Sequence, residues 1–162
     1  MIHQYLSLVA LFNNIFLIAI FVIRKNPESP LLRKVGKTYL GLFIPAGCAG
    51  IVIALVETVD PAYVFFLVMF LAYLGLETLF DYVLKVDFRR NWKLLVPYLV
   101  LYYIYNYGFF VMPWKQDLVL GVILLSLFIA QLVTNAITHP RSEKKAGIGG
   151  EGKHAAPVDP TP

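Results

Sequence analysis

The chain has 162 residues, 59% of them hydrophobic and 15% charged, with a net charge of +4. A soluble domain is about 45–50% apolar and about a quarter charged, so this chain has too little charge to coat a globule. A disordered, collagenous or disulfide-rich secreted chain is excluded on the same grounds, which leaves an all-α integral membrane protein whose first partner is the lipid bilayer.

A bilayer core about 30 Å thick needs about 20 apolar residues in a helix rising 1.5 Å per residue. Five stretches meet that length, at about 4–23, 37–57, 61–84, 94–113 and 117–138. The first is read as a retained span and not a signal peptide. No basic segment precedes it, it is longer than a typical signal core, and it ends in Arg24 and Lys25 instead of a small-residue cleavage site.

The links between spans fall into two classes. The segment 24–37 carries Arg24, Lys25, Arg33, Lys34 and Lys37. The segment 85–93 carries Lys85, Arg89, Arg90 and Lys93, and the tail carries Arg141, Lys144, Lys145 and Lys153. With five spans, all three segments share one side. The other side has the short links 58–60 and 114–116, with Lys115 as its one basic residue, and the acids Glu57, Asp60 and Asp117. By the positive-inside rule the C-terminus is expected in the cytoplasm and the N-terminus outside, in a cell inner or plasma membrane. In this setting the positive charge is topogenic, and no nucleic-acid partner is expected.

Trp92 and Trp114 bracket the fourth span as interfacial anchors. Pro61 is expected to start the third span and Pro113 to end the fourth. The short outer links make spans two and three, and four and five, antiparallel neighbours. From residue 140 onward the chain is rich in Pro and Gly and is expected to form a disordered basic tail, 140–162. Lys144 and Lys145 there suit anionic lipid.

Helices associate in lipid through close packing and polar contacts. The second span has Ala46, Gly50 and Ala54 at spacing four, a small-residue face read as packing within the chain ahead of a dimer seam. Pro45 should bend that span. Cys48, the one cysteine, is expected to be a small buried packing residue. No internal repeat is evident, and five spans do not divide into inverted halves. A homo-oligomer would restore symmetry.

Charge inside a bilayer is costly, at about 2.5–3.5 kcal/mol for a central carboxylate. The third span nevertheless carries Glu77 and Asp81 on one helix face, with Tyr73 one turn toward the outside. Glu77 is expected about 7 Å to the cytoplasmic side of the span centre, with Asp81 about 6 Å further out. Gln131 and Asn135 of the fifth span should lie at matching depths. The fourth span supplies Tyr102, Tyr103, Tyr105, Asn106 and Tyr107, and the first supplies Asn13 and Asn14. Most of these are expected to face the bundle interior in a polar seam. Two carboxylates one turn apart cannot both be charged cheaply in low dielectric, so the pair should retain a proton near neutrality, on Glu77 first.

Two roles suit this seam. One is a clasp that fixes helix register; the other is a proton, cation or headgroup site built from Glu77, Asp81, Tyr73, Gln131, Asn135, Asn106, Tyr102 and Asn14. Asp81 also has an interfacial alternative, pairing with Arg89 or Arg90. No Lys or Arg lies mid-span for a Schiff base. His3, His139 and His154 lie at or beyond span ends, so neither a mid-membrane haem nor a metal cluster is expected. No hydrolase, metalloprotease or P-loop motif is present, and no cofactor is implied. The expected function is a non-catalytic accessory or assembly subunit of a membrane complex, with a membrane-protein partner. The alternative is a small oligomeric proton- or cation-coupled transporter using Glu77 and Asp81.

Overall fold

A computed structural model describes residues 1–24, 29–86, 88 and 91–138. Helix α1 spans Ile2–Ile23, α2 Pro30–Val56, α3 Pro61–Thr78, α4 Trp92–Trp114 and α5 Leu118–Thr138. A π-helical segment, Leu79–Leu84, continues α3 directly. Among the described residues there is no strand. Five helices are long and apolar enough to cross a membrane, with α3 and its π segment counting as one of 24 residues. The shortest, α5, has 21 residues, about 32 Å at 1.5 Å per residue and enough for a 30 Å core.

Local chemistry sets the helix starts. Ser29 Oγ accepts from the Leu31 N–H at 3.3 Å and Pro30 occupies the first helical position. Asp60 Oδ1 accepts from the Ala62 N–H at 2.9 Å, followed by Pro61. Asn91 caps α4 through the Lys93 N–H, and Asp117 accepts from Val119 and Leu120. Each side-chain oxygen satisfies a donor that the first helical turn leaves unpaired. The second helix therefore begins at Pro30 and not near residue 37. The Ser-Pro start pulls Arg33, Lys34 and Lys37 onto the helix, so more than half of the expected basic segment is helical. The third span also differs from the expected uniform α-helix, because its last six residues are π-helical and end on Lys85 in a left-handed conformation (φ 51°).

The helices close into a ring. Each packs on its sequence neighbours, α5 returns to pack on α1, and α1 also touches α4 across the ring. Half of the most apolar stretch of α1 is buried but only 17% of that of α5, so α1 lies toward the centre and α5 on the flank. Aromatic rings fill the interior. Phe70 lies 4.9 Å from Phe109 and 5.1 Å from Tyr105, and Tyr73 lies 4.8 Å from Tyr105, all in tilted pairs that aromatic quadrupoles favour.

Small residues permit this closeness. The Ala46–Gly50–Ala54 face is used within the chain. A Cβ on Gly50 would sit 3.1 Å from Leu67 and 3.2 Å from Tyr5, and the Ala46 carbonyl accepts from Tyr5 Oη at 2.7 Å. Cys48 lies on the opposite side of α2 and is exposed, which corrects its expected burial. One step of about 100° per residue separates it from the buried Gly47. Trp92 and Trp114 bracket α4 as its first and last residues, both exposed.

The end opposite the basic segments is tied by polar contacts. Glu57 Oε2 accepts from the Ile2 N–H at 3.0 Å, with the Met1 ammonium 3.4 Å from Oε1. The Ile2 hydrogen bond is the main cause holding Glu57 below the usual carboxylate range. The Met1 ammonium assists, and partial desolvation opposes both. The expected tail 140–162, Lys25, Arg89 and Arg90 lie outside the described residues.

Two predictions follow from this packing. Gly121→Ala would drive a Cβ to 2.7 Å from the Trp114 backbone, whereas Gly41 has nothing within 4 Å. Overpacking typically costs about 1–3 kcal/mol, so detergent or thermal unfolding should show that loss for Gly121→Ala and none for Gly41→Ala. Glu57 is bound more tightly as the anion in the folded state, so its contribution is present above the unfolded glutamate pKa of about 4.3. That contribution is lost as pH falls through the lower folded value. The stability gap between the native chain and Glu57→Gln, followed by thermal unfolding from pH 7 downward, should close in the acid range.

Candidate functional site

Glu77 sits in the last turn of α3, half-buried, where the helix passes Tyr98 of α4. Tyr98 Oη donates to Glu77 Oε2 at 2.5 Å and lies 2.8 Å from Tyr73 Oη. A phenol has one proton to give. With that proton committed to Glu77, the Tyr73 hydroxyl must be the donor to Tyr98. The chain Tyr73 to Tyr98 to Glu77 thus has one direction while Glu77 is anionic and can reverse when it is protonated.

A cavity of about 350 Å³ adjoins Glu77 at the basic end of the bundle. Ile20 of α1 and its C-cap Arg24, Ser29 at the start of α2, Arg33, Tyr39 and Leu40 of α2, Asp81 and Tyr82 of the third span and its C-cap Lys85 share the wall with Glu77. The two carboxylates expected on one face therefore do line one space, even though the π segment changes the winding between them. Arg33 and Lys85 are exposed and mark the mouth, whereas Tyr39 is buried and marks the floor.

Beyond the floor lies a second polar group. Tyr39 Oη donates to Asn13 Oδ1 at 2.8 Å. Tyr105 Oη lies beside Asn13, Asn106 and Tyr39 without a well-formed hydrogen bond to any of them. Asn14 and Asn106 each turn their amide N–H back to the carbonyl four residues earlier, Ala10 and Tyr102, at 2.8 Å. Gln131 Nε2 donates to Tyr102 Oη at 2.6 Å. All these side chains are buried. In hydrocarbon such groups are tolerable only when they face one another.

The expected seam is therefore present, with two changes. Gln131 meets Tyr102 and not Glu77, because α5 packs on α4 and α1, which sets α4 between it and the carboxylates. Asn135 is half-buried one turn further on, with its carbonyl accepting from Thr138 Oγ1 at 3.4 Å. Tyr103 and Tyr107 are exposed, on the side of α4 away from Tyr102, Tyr105 and Asn106. The interfacial pairing of Asp81 with Arg89 or Arg90 lies outside the described residues. Sequence reasoning overlooked Tyr98, which its position one turn before Tyr102 could have indicated. It also overlooked Tyr39, which nothing in its neighbourhood sets apart from a packing aromatic.

A third polar group lies at the opposite end, where His3 Nδ1 is 2.8 Å from Tyr63 Oη. These two line a smaller hollow with Asp60, Lys115 and Gln116. Leu67, Phe70 and Phe109, all buried, occupy the interior between the levels of Tyr63 and Tyr73.

No protein-family model, curated protein or solved structure matches this chain. The arrangement of side chains is accordingly the whole basis for a functional reading.

The Tyr98–Glu77 bond can be measured by a double-mutant cycle. Interhelical hydrogen bonds in membranes average about 0.6 kcal/mol and reach about 1.7. Tyr98→Phe and Glu77→Gln should couple by about 1 kcal/mol in unfolding experiments. Tyr103→Phe with Glu77→Gln, a pair on separate surfaces, should be additive.

Proposed function

We propose that this chain is a small proton- or cation-coupled membrane carrier whose exchange group is Glu77, entered from the basic end. The observation that carries the reading is a membrane-span carboxylate that both lines an open cavity and accepts from a buried tyrosine pair. A register clasp alone would need the hydrogen bond but not the cavity.

The chemistry is an exchange of partners. With Glu77 anionic, Tyr98 donates to it, and a proton or small cation arriving through the mouth neutralises it. Once protonated, Glu77 can donate, and the tyrosine pair can reorient without moving a heavy atom far; a bound cation instead shares the carboxylate oxygens with the Tyr98 donor. Intramembrane acids in such settings mark ion and proton pathways. The apolar layer of Leu67, Phe70 and Phe109 keeps the two polar ends apart in this conformation. The excess of Lys and Arg at the cavity end favours a cytoplasmic mouth and an extracytoplasmic N-terminus, in a cell inner or plasma membrane. Assembly of two or more copies would supply the symmetry that five spans lack. The accessory-subunit reading, which needs no exchange at Glu77, is the competing outcome of the test.

Glu77→Gln keeps most of the hydrogen bonding but cannot exchange a proton. In proteoliposomes the native chain should support a pH-gradient-driven flux, and Glu77→Gln should reduce it at least about tenfold, equivalent to about 1.4 kcal/mol, while remaining folded. Absence of flux in the native chain, together with stoichiometric recovery of a larger membrane partner, would establish the accessory role instead.

A further inference from the structure

The exchange proposed at Glu77 leaves the cations at the cavity mouth without an assigned role. Arg24 caps the C-terminus of α1, Arg33 lies in the first turn of α2 and Lys85 caps the π segment, so three separate elements direct one cation each to a single cavity. Among the described residues none of the three forms an ion pair; the one such pair is Met1 with Glu57. Arg24 lies with its guanidinium 5.3 Å from the centre of the Phe21 ring, which restrains it.

The start of α2 adds to the same field. A helix N-terminus carries roughly half a positive charge, and acidic side chains normally occupy the first turn. Here the first turn contains no acid, and Arg33 takes that position instead. Cation and dipole repel unless an anion lies between them. Among the described residues the mouth also holds one carboxylate, Asp81, which does not stand free, so among them cations outnumber carboxylates there. Glu77 is farther in and accepts from Tyr98.

Depth decides which anion fits. Arg24 follows a helix of 22 residues, about 33 Å long, and so lies at the edge of the hydrocarbon core, where lipid phosphates begin. Arginine presents a planar fork matched to phosphate oxygens, and basic pockets between spans bind phosphorylated headgroups.

We propose that Arg24, Arg33 and Lys85 form a phosphate-binding rim on this cavity. Its occupant is a phosphate group carried either by an anionic phospholipid or by a soluble phosphate ester. The site uses the cavity of the proposed carrier but does not depend on flux through it.

The test uses the full chain in neutral detergent, with short-chain phosphatidylglycerol and inorganic phosphate as probes, read by native mass spectrometry and phosphorus NMR. One probe or both should bind saturably, and Arg24→Gln/Arg33→Gln should weaken binding at least about tenfold. Lys37→Gln, exposed on the same basic stretch but off the cavity wall, should leave it unchanged. Lipid binding that inorganic phosphate does not displace identifies a headgroup; displacement identifies a soluble phosphate; either supports the rim. If the double variant fails to fold, Lys85→Gln, at an exposed side chain, should still lower affinity several-fold. Absence of saturable binding by both probes, or equal loss in Lys37→Gln, would overturn the proposal. Because binding is read without transport, these results and the Glu77→Gln flux can fail separately.

Discussion

A carboxylate placed within an apolar helix must be solvated by the protein, and the contact between Glu77 and Tyr98 meets part of that demand. Its consequences extend through the bundle. Tyr98 must be buried on α4, Tyr73 must donate to it, and α3 and α4 must stay in register for both bonds to form. The rings beyond them, from Tyr73 to Tyr105 to Phe109, pack in tilted and edge-to-face pairs on the frame those bonds fix. The energy of each interhelical bond is small; its effect on register is large, because sliding either helix by one turn would part Glu77 from Tyr98 and Tyr98 from Tyr73.

Much of this was legible in the residues. The five spans follow from length and hydropathy. Glu77 and Asp81 at spacing four do share a cavity, and Asn13, Asn14, Asn106 and Gln131 do face inward, because lipid offers them no other partner. The start of α2 at Ser29-Pro30 was equally written in the chain, but a hydropathy window is blind to it. Such a window discounts Arg33, Lys34 and Lys37, whereas a cap and a proline act regardless of polarity. What was not legible is adjacency. Antiparallel hairpins fix which helices are joined, but not that α5 closes on α1. That closure is why Gln131 answers to Tyr102 and not to Glu77.

Cys48 and Gly50 make the same point at shorter range. Both are small residues in one apolar helix, two positions apart, and composition treats them alike. Their environments differ because α2 turns one face to Tyr5 and Leu67 and the other outward. In a membrane helix the exterior is as apolar as the interior, so hydrophobicity cannot tell the two faces apart. Polar side chains and glycines that would clash if enlarged carry that information instead.

The wider winding of Leu79–Leu84 separates the two acids mechanically. An α-helix bonds each N–H four residues back, whereas a π turn bonds five back and so accommodates one surplus residue. Glu77 belongs to the tightly wound part, anchored by Tyr98, while Asp81, Tyr82 and Lys85 ride on the looser coil. Migration of that surplus residue along the span would swivel the cavity's outer wall while its anchored acid stayed still, a gearing that a uniform helix of the same length does not possess.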